Sequence, residues 1–402
     1  MLSLEMKVLK NHIKRYATAL GVGVAMIGAL STQSVQAQVS KIPPPEIGAK
    51  GYMLIDLTTG QTLAEFNSKE RLEPASLTKL MTAYLVFAAV QNKQIALNQN
   101  VPISTNAWKS EGSRMFVEPN RPVTVEELLN GMIIQSGNDA TRALAELLAG
   151  DEGNFAGLMN QQAKKMGLTG TNFQNSTGLP GPQHYTTARD LAVLAENIIK
   201  DFPELYKSYY SKKEYTYNGI RQPNRNRLLW TDESVDGMKT GHTESAGYCL
   251  VSSAKRKLPN GVERRLISVM MGTSSDQART QESLKLLNYG FQMYETVKMY
   301  SKDQAIASSQ VFKGKEDIVP MGSRGTDVLI NVPKGMTDQL KATVERKDNL
   351  IAPIKAGTRL GTLKLTLGNE VVAERPLVAL KDIEEAGLVG RLIDSGRLWL
   401  KE

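Results

Sequence analysis

Three short motifs in this chain bring together side chains that can transfer an acyl group without a metal or a histidine. Ser76-Leu77-Thr78-Lys79 places a serine and a lysine three residues apart at the start of an apolar helix, so the two side chains share a face. A lysine partly desolvated beside a buried helix has its pKa lowered toward about 7 to 8, and can then take the serine proton and leave the hydroxyl nucleophilic. Helix N-terminal amides favour the negative charge that develops there. Ser136-Gly137-Asn138 offers a hydroxyl and a carboxamide in a loop between two helical segments. Lys239-Thr240-Gly241 occurs once, just before a strand, and a strand edge carrying Lys and Thr suits an anion or carboxylate.

Each motif alone has an ordinary structural explanation: a capping serine, a turn, a glycine that avoids crowding. Ser252 and Lys255 repeat the first spacing inside a predicted strand, where residues three apart face opposite ways, and Ser104-Thr105-Asn106 repeats the second. The ordered set on helix, loop and strand is hard to ascribe to coincidence.

The elements that must position these residues are legible around them. Strands are expected at 51–57 and 61–66 about a Thr58-Thr59-Gly60 turn, and Pro74 precedes a helix over 76–91 with an apolar stripe of Leu77, Leu80, Met81, Tyr84, Leu85 and Ala88. Further helices are expected at 125–134, 140–148, 155–166, 188–199 and 283–294, and strands at 247–253 and 265–272. Strands at both ends of a helical middle imply an α/β (α+β) fold, an antiparallel sheet covered by helices, over 38–298. From 299 to 381 alternating runs such as Leu363, Leu365 and Leu367 give a small all-β domain. Residues 382–402 place Leu388, Val389, Leu392, Ile393, Trp399 and Leu400 near one face of a terminal amphipathic helix, although Gly387, Gly390, Gly396 and an acidic balance weaken it.

Composition narrows the function further. At 402 residues, 41% hydrophobic and 22% charged, the chain is globular and long enough for two domains. One cysteine, Cys249, rules out a disulfide scaffold and a four-thiolate metal site and reads as a small buried apolar residue. Three histidines without a His-Glu-x-x-His pattern argue against a metallopeptidase. Of the net charge of +8, three positive charges come from Lys7, Lys10, Lys14 and Arg15 against Glu5. These precede the apolar run 17–30 and Val35-Gln36-Ala37, the pattern of a secretory signal cleaved after Ala37, with an uncleaved membrane helix as the alternative. The basic clusters Lys212-Lys213, 255–257 and Arg264-Arg265 lack interleaved aromatics, so they read as solvated surface and no nucleic-acid partner is expected.

The three motifs together resemble the penicilloyl serine transferases. The run 235–243 (VDGMKTGHT) and the appended β-domain with its terminal helix are similar to the low-molecular-mass penicillin-binding proteins of type 5/6, serine D-alanyl-D-alanine carboxypeptidases, from about Gly48 onward. The resemblance implies a serine β-lactamase/transpeptidase-like catalytic domain with Ser76 as the acylated nucleophile, Lys79 as its base and Ser136 as a proton relay. Asn138 would hold the substrate amide, Lys239, Thr240 and Gly241 would form the edge that takes the carboxylate, and the backbone amides of Ser76 and His242 the oxyanion hole. Arg279 matches an arginine that assists carboxylate recognition, while Thr273-Ser274-Ser275-Asp276 before it departs from the family's glycine-rich, basic loop. A surface ion pair is the alternative for Arg279, and a purely backbone role for His242.

The implied activity is removal of the terminal D-alanine from peptidoglycan pentapeptide stems, with no metal or cofactor and with β-lactams as covalent inhibitors. The implied location is the periplasm, at the outer face of the cytoplasmic membrane through the terminal helix. Two rivals stand beside it: a serine β-lactamase, whose separate glutamate base is not evident near Glu196-Asn197, and a penicillin-sensing or wall-scaffolding module that acylates without turnover.

Overall fold

The computed structural model describes residues 42–399, so the expected leader lies outside the described residues. Strands β1 (Gly51–Asp56) and β2 (Gln61–Phe66) form the expected hairpin. A separate hairpin, β3 (Glu214–Tyr217) and β4 (Ile220–Pro223), precedes β5 (Val235–Thr243), β6 (Gly247–Lys257) and β7 (Glu263–Thr273). The main sheet has the order β2-β1-β7-β6-β5 and is antiparallel throughout, which leaves β5 and its Lys239-Thr240-Gly241 on an edge. Both faces are buried. Met53, Ile55, Val251, Ile267 and Val269 enter the larger core, whereas Tyr52, Leu54, Leu250, Leu266 and Met270 enter a second one.

Helices cover both faces. The larger core takes α1 (Lys79–Gln91), α2 (Thr105–Trp108), α3 (Val125–Asn130), α4 (Asn138–Ala149), α5 (Glu152–Lys165), α6 (Ala188–Asp201) and α7 (Pro203–Tyr210). The second takes the short α8 (Leu228–Thr231) and α9 (Asp276–Met293), which contributes Leu286, Leu287 and Tyr289. Side-chain caps start several of them: a Thr124/Glu127 capping box at α3, Asp151 at α5, Thr187 at α6 and Ser275 at α9. Ser104 caps α2 in the same way, which accounts for the duplicate Ser-x-Asn.

The helix expected over 76–91 is two pieces, a 3-10 turn at Ala75–Thr78 running into α1, with Ala75 held at φ +46°. Its burial is also broader than one stripe. Leu80, Met81, Ala83, Val86 and Phe87 are buried while Tyr84, Leu85 and Ala88 are only partly so, because α4, α5 and α6 pack around it.

Beyond α9, β8 (Tyr294–Tyr300) pairs with β11 (Val328–Pro333), and the expected boundary at 298 falls inside β8. Strands β9 (Ala307–Phe312), β10 (Ile318–Gly322), β12 (Leu340–Arg346), β13 (Leu350–Ile351), β14 (Arg359–Leu367) and β15 (Glu370–Ala379) form a six-stranded sheet with its own core of Val319, Met321, Leu363, Leu365 and Leu377. The terminal helix α10 spans Leu388–Trp399 and starts later than expected. Residues 382–386 are hydrogen-bonded along the β-domain instead, through Ala356 N to Asp382 Oδ1 (2.7 Å), Ile354 N to Ile383 O (2.9 Å) and Ala386 N to Lys313 O (2.8 Å). Asp394 anchors the helix by accepting Lys313 N at 2.6 Å, and Leu388, Val389, Leu392 and Trp399 are 72 to 77% exposed. Among the described residues no helix is long and apolar enough to cross a membrane.

Arg264 is not the solvated surface residue that its basic neighbours suggested. It is fully buried and donates Nε to the equally buried Asp56 at 2.6 Å, and Nη1 to Tyr294 O at 3.0 Å. Asp56 also accepts Asn331 Nδ2 from β11 at 2.7 Å, so one carboxylate ties the β1–β2 turn to the β-domain. Removing one member of a buried pair strands the other charge, at a typical cost of about 3 to 5 kcal/mol. Asp56→Ala should therefore lower stability by about that amount in urea unfolding; a loss below about 1 kcal/mol would show that the buried charge finds another partner.

Candidate active site

Lys79 is the centre of the arrangement. Only 1% exposed, its Nζ donates to Asn138 Oδ1 and Thr177 O at 2.7 Å each and lies 3.1 Å from Ser76 Oγ. Burial, reinforced by the Arg225 charge and opposed by Glu152 and Asp139, lowers its pKa to about 7. A neutral amine keeps two N–H donors on the two close oxygens and turns its lone pair toward the third direction, where the Ser76 hydroxyl stands. The 3-10 turn serves this contact, since residues three apart eclipse there.

Each partner of Lys79 is fixed in turn. Asn138 heads α4, and its Nδ2 donates to Glu111 O at 2.7 Å, so the carboxamide expected to face substrate is engaged at both ends within the protein. The neighbouring Asp139, fully buried, accepts the amides of Met115, Phe116 and Val117, which holds Ser113 on the cleft wall. Thr177 sits in a turn closed by Asn175 Oδ1, and Ser176 is anchored to Glu152, itself paired with Arg142 at 2.8 Å. Gly178 has φ +87°, and a Cβ there would stand 1.8 Å from Ala75 O, so the turn passes directly against the one that carries Ser76. His184 Nδ1 accepts Gln174 N at 2.9 Å, which puts the ring proton on Nε2, facing Thr78 Oγ1 at 2.8 Å. Its pKa is lowered to about 4 by burial, so the ring stays neutral and structural.

Ser136 follows a π-helical turn (Gly131–Gln135) and has φ +65°; its buried Oγ has no hydrogen-bond partner among the described residues. Across the cleft, Thr240, Gly241 and His242 come from edge strand β5. A Cβ on Gly241 would lie 3.0 Å from Pro74 O and 3.2 Å from the amide nitrogens of Ser76 and Leu77, so a side chain there would press on the backbone of the Ser76 turn. Lys239 lies beneath, 2% exposed, with Nζ on Thr240 O at 3.1 Å; burial first, then the charges of Lys79, Arg225 and Arg279, hold its pKa well below the ordinary lysine value. The His242 ring stacks on Tyr248 with centroids 4.0 Å apart. Arg279 Nη1 donates to Gly241 O at 3.1 Å, and Nη2 pairs with Asp276.

These residues line or underlie one cleft of about 780 Å³, whose walls include Ser76, Ser136, Thr240, Arg225, Trp230 and Arg279. Among the described residues Asp276 is the one carboxylate in its lining. Among the described residues no cluster of His, Cys, Asp or Glu could hold a metal ion. Cys249 is fully buried behind the site, and burial raises its thiol to about 11.

Residues 37–275 match the sequence profile of the D-alanyl-D-alanine carboxypeptidases, and 294–385 match that of the penicillin-binding protein 5 C-terminal domain. The chain belongs to the D-alanyl-D-alanine carboxypeptidase family. It is 42% identical over 361 residues to the D-alanyl-D-alanine carboxypeptidase DacC of Escherichia coli (strain K12), covering 88% of each chain. The crystal structure of penicillin-binding protein 5 from Haemophilus influenzae superposes with a TM-score of 0.79 at 41% identity, over 86% of this chain and 100% of that one. Penicillin-binding protein D2 from Listeria monocytogenes in its ampicillin-bound form matches 62% of this chain and 100% of its own, at 30% identity and a TM-score of 0.56.

In this serine carboxypeptidase the three motifs converge on one cleft, but Asp139, Glu152, Thr177, His184 and Arg225 carried no motif. Gly241→Ala should move β5 off the Ser76 turn and slow β-lactam acylation about tenfold or more while the melting temperature changes little. Stopped-flow acylation beside a thermal melt checks this; unchanged acylation would mean that the close approach is incidental.

Proposed function

We propose that the chain removes the terminal D-alanine from peptidoglycan pentapeptide stems through an acyl-enzyme on Ser76, and that β-lactams acylate the same hydroxyl. The observation that carries this is Lys79, an amine 3.1 Å from Ser76 Oγ with a pKa lowered to about 7 by burial. Its lone pair takes the hydroxyl proton as Oγ bonds to the penultimate D-alanine carbonyl carbon, and the oxyanion meets the backbone amides of Ser76 and His242. Collapse breaks the peptide bond, D-alanine leaving as the amine with a proton delivered through Ser136, whose unpartnered hydroxyl lines the cleft. Water then cleaves the ester with the same base, restoring the serine and leaving a tetrapeptide. Asn138 acts here by holding Lys79. The substrate's free carboxylate is drawn by Thr240, with Lys239 beneath it, and by Arg279.

The cleft lining favours this over the β-lactamase reading, because its one carboxylate, Asp276, is already bound to Arg227 and Arg279 and is not free as a separate deacylating base. Glu196 sits on α6 paired with Lys200 at 2.5 Å. Release of D-alanine from an N-acylated peptide ending in D-Ala-D-Ala tests the proposal, whereas penicillin hydrolysis on the same timescale, or acylation without D-alanine turnover, would favour a rival. The pH profile carries the second test. Below about 7 Lys79 is an ammonium and cannot accept a proton, so the acylation rate should rise with pH and reach half its plateau near 7. A profile flat from pH 5 to 9 would remove Lys79 from the role of base.

The leader sequence and the exposed apolar face of α10 support a periplasmic enzyme peripheral on the outer face of the cytoplasmic membrane. With Asp394 tying the helix to the β-domain, Leu388, Val389 and Leu392 are left for the lipid surface. Leu388→Asp with Leu392→Asp should abolish co-sedimentation with phosphatidylglycerol-containing vesicles; equal sedimentation would assign anchoring elsewhere.

A further inference from the structure

The two close acceptors of Lys79 are held from behind by one ion pair. Arg142 stands four residues after Asn138 on α4 and so shares its face of that helix, and Glu152 opens α5. The guanidinium donates Nε to Glu152 Oε2 at 2.8 Å. The other carboxylate oxygen, Oε1, accepts Ser176 Oγ at 2.6 Å and Ser176 N at 3.1 Å. The Ser176 carbonyl in turn accepts Thr82 Oγ1 from α1 at 2.8 Å. Ser176 is thus pinned on both sides, one step before the Thr177 carbonyl that accepts Lys79 Nζ.

The second arm runs the other way. Arg142 Nη1 donates to the buried Ser110 Oγ at 3.1 Å. Ser110 precedes Glu111, whose carbonyl accepts Asn138 Nδ2 at 2.7 Å and so leaves Oδ1 turned to Lys79. This loop has little room to shift, since Ser113 O accepts Asn138 N at 2.6 Å and a Cβ on Gly112 would stand 2.9 Å from Asn138 Nδ2. Both arms meet in Arg142 and Glu152, whose side chains are 23% and 22% exposed, on the wall of a separate cavity of about 560 Å³. Among the described residues neither side chain lines the substrate cleft, so their effect on the reaction must pass through the residues they hold. Burial would raise the Glu152 carboxyl, yet hydrogen bonds from Ser176 and Arg142 hold its pKa below the ordinary value, and the pair stays ionised over the pH range of acylation.

We infer that Arg142 and Glu152 are a positioning pair for acylation, one brace that sets both close acceptors of Lys79 and with them the direction in which its amine faces Ser76 Oγ. This rests on the reading of Lys79 as the base, and Lys79→Ala in the same assay separates the two. Stopped-flow reaction with a fluorescent penicillin from pH 5 to 9 gives the limiting acylation rate and the non-covalent Kd for wild type, Glu152→Gln, Glu152→Ala, Arg142→Ala and the Glu152→Ala/Arg142→Ala double variant. Final labelling normalises each rate to competent sites. At pH 9, Glu152→Ala and Arg142→Ala should each slow the limiting rate about tenfold or more with Kd little changed. The double variant should lose less than the product of the two losses, because the arms share one brace. Glu152→Gln, whose amide oxygen can still accept Ser176, should recover much of the rate while its half-plateau moves to lower pH than in wild type. The charges that bear on Lys79 are Arg225, Glu152 and Asp139, with Lys239 nearby, and removing a carboxylate that favours the ammonium makes the amine easier to deprotonate. A brace that served stability alone would lower Tm and the number of competent sites, and leave rate and midpoint per site as in wild type. That result, a loss confined to Kd, or fully multiplicative losses in the double variant overturns the inference. If Lys79→Ala itself acylates at the wild-type rate, the reading of Lys79 as base fails and this inference with it.

Discussion

The structure is organised around a buried lysine. An ammonium taken out of water costs several kcal/mol unless it is met by well-placed acceptors or gives up its proton, and Lys79 does part of each. Its polar neighbours come from three parts of the chain: the serine one turn earlier, the head of α4, and a carbonyl nearly a hundred residues on. Each must be held still, which explains the Asp139 clamp on the 115–117 loop, the Glu152–Arg142 anchor beneath Ser176 and the glycine at 178. The placement of the Lys79 amine against Ser76 Oγ is thus a property of how the helical layer packs.

Charge in the cleft follows from the same burial. Lys79, Lys239, Arg225 and Arg279 converge where, among the described residues, a single acidic side chain, Asp276, lines the wall. Burial first, and then the charge of Arg225, lowers both lysines, and the uncompensated arginines leave a positive field in the cleft that an entering carboxylate relieves. Away from the cleft, the Asp56–Arg264–Asn331 cluster fixes the β1–β2 turn on the β-domain that carries α10.

Much of this was legible in the residues. The Ser-x-x-Lys, Ser-x-Asn and Lys-Thr-Gly positions lie together, and the doubly buried sheet shows as near-continuous apolar runs such as Leu266 to Met271. What stayed hidden has physical reasons. Thr177 acts through its carbonyl, which every residue possesses. His184 and Asp139 work by holding backbone, which leaves no spacing signature. Arg264 stands in a basic run that reads as surface, yet Arg265 beside it is mostly buried and paired with Asp236 at 2.7 Å, and only the three-dimensional return of Asp56 buries Arg264. Arg225 is one of several scattered arginines until Asn224 and Asn226 turn inward around it. The 3-10 start of α1 carries Ala75 at positive φ, a conformation that nothing in an alanine's residue type announces.

The central claim, that Lys79 makes Ser76 the acylated residue, is tested most directly by trapping the intermediate. The purified chain is mixed with a β-lactam, quenched in acid within one turnover, digested and read by mass spectrometry. The account predicts a single adduct on the peptide carrying Ser76, absent in Ser76→Ala and slowed about 10² to 10⁴-fold in Lys79→Ala. An adduct on Ser252 or Ser136, or undiminished labelling in either variant, would contradict it.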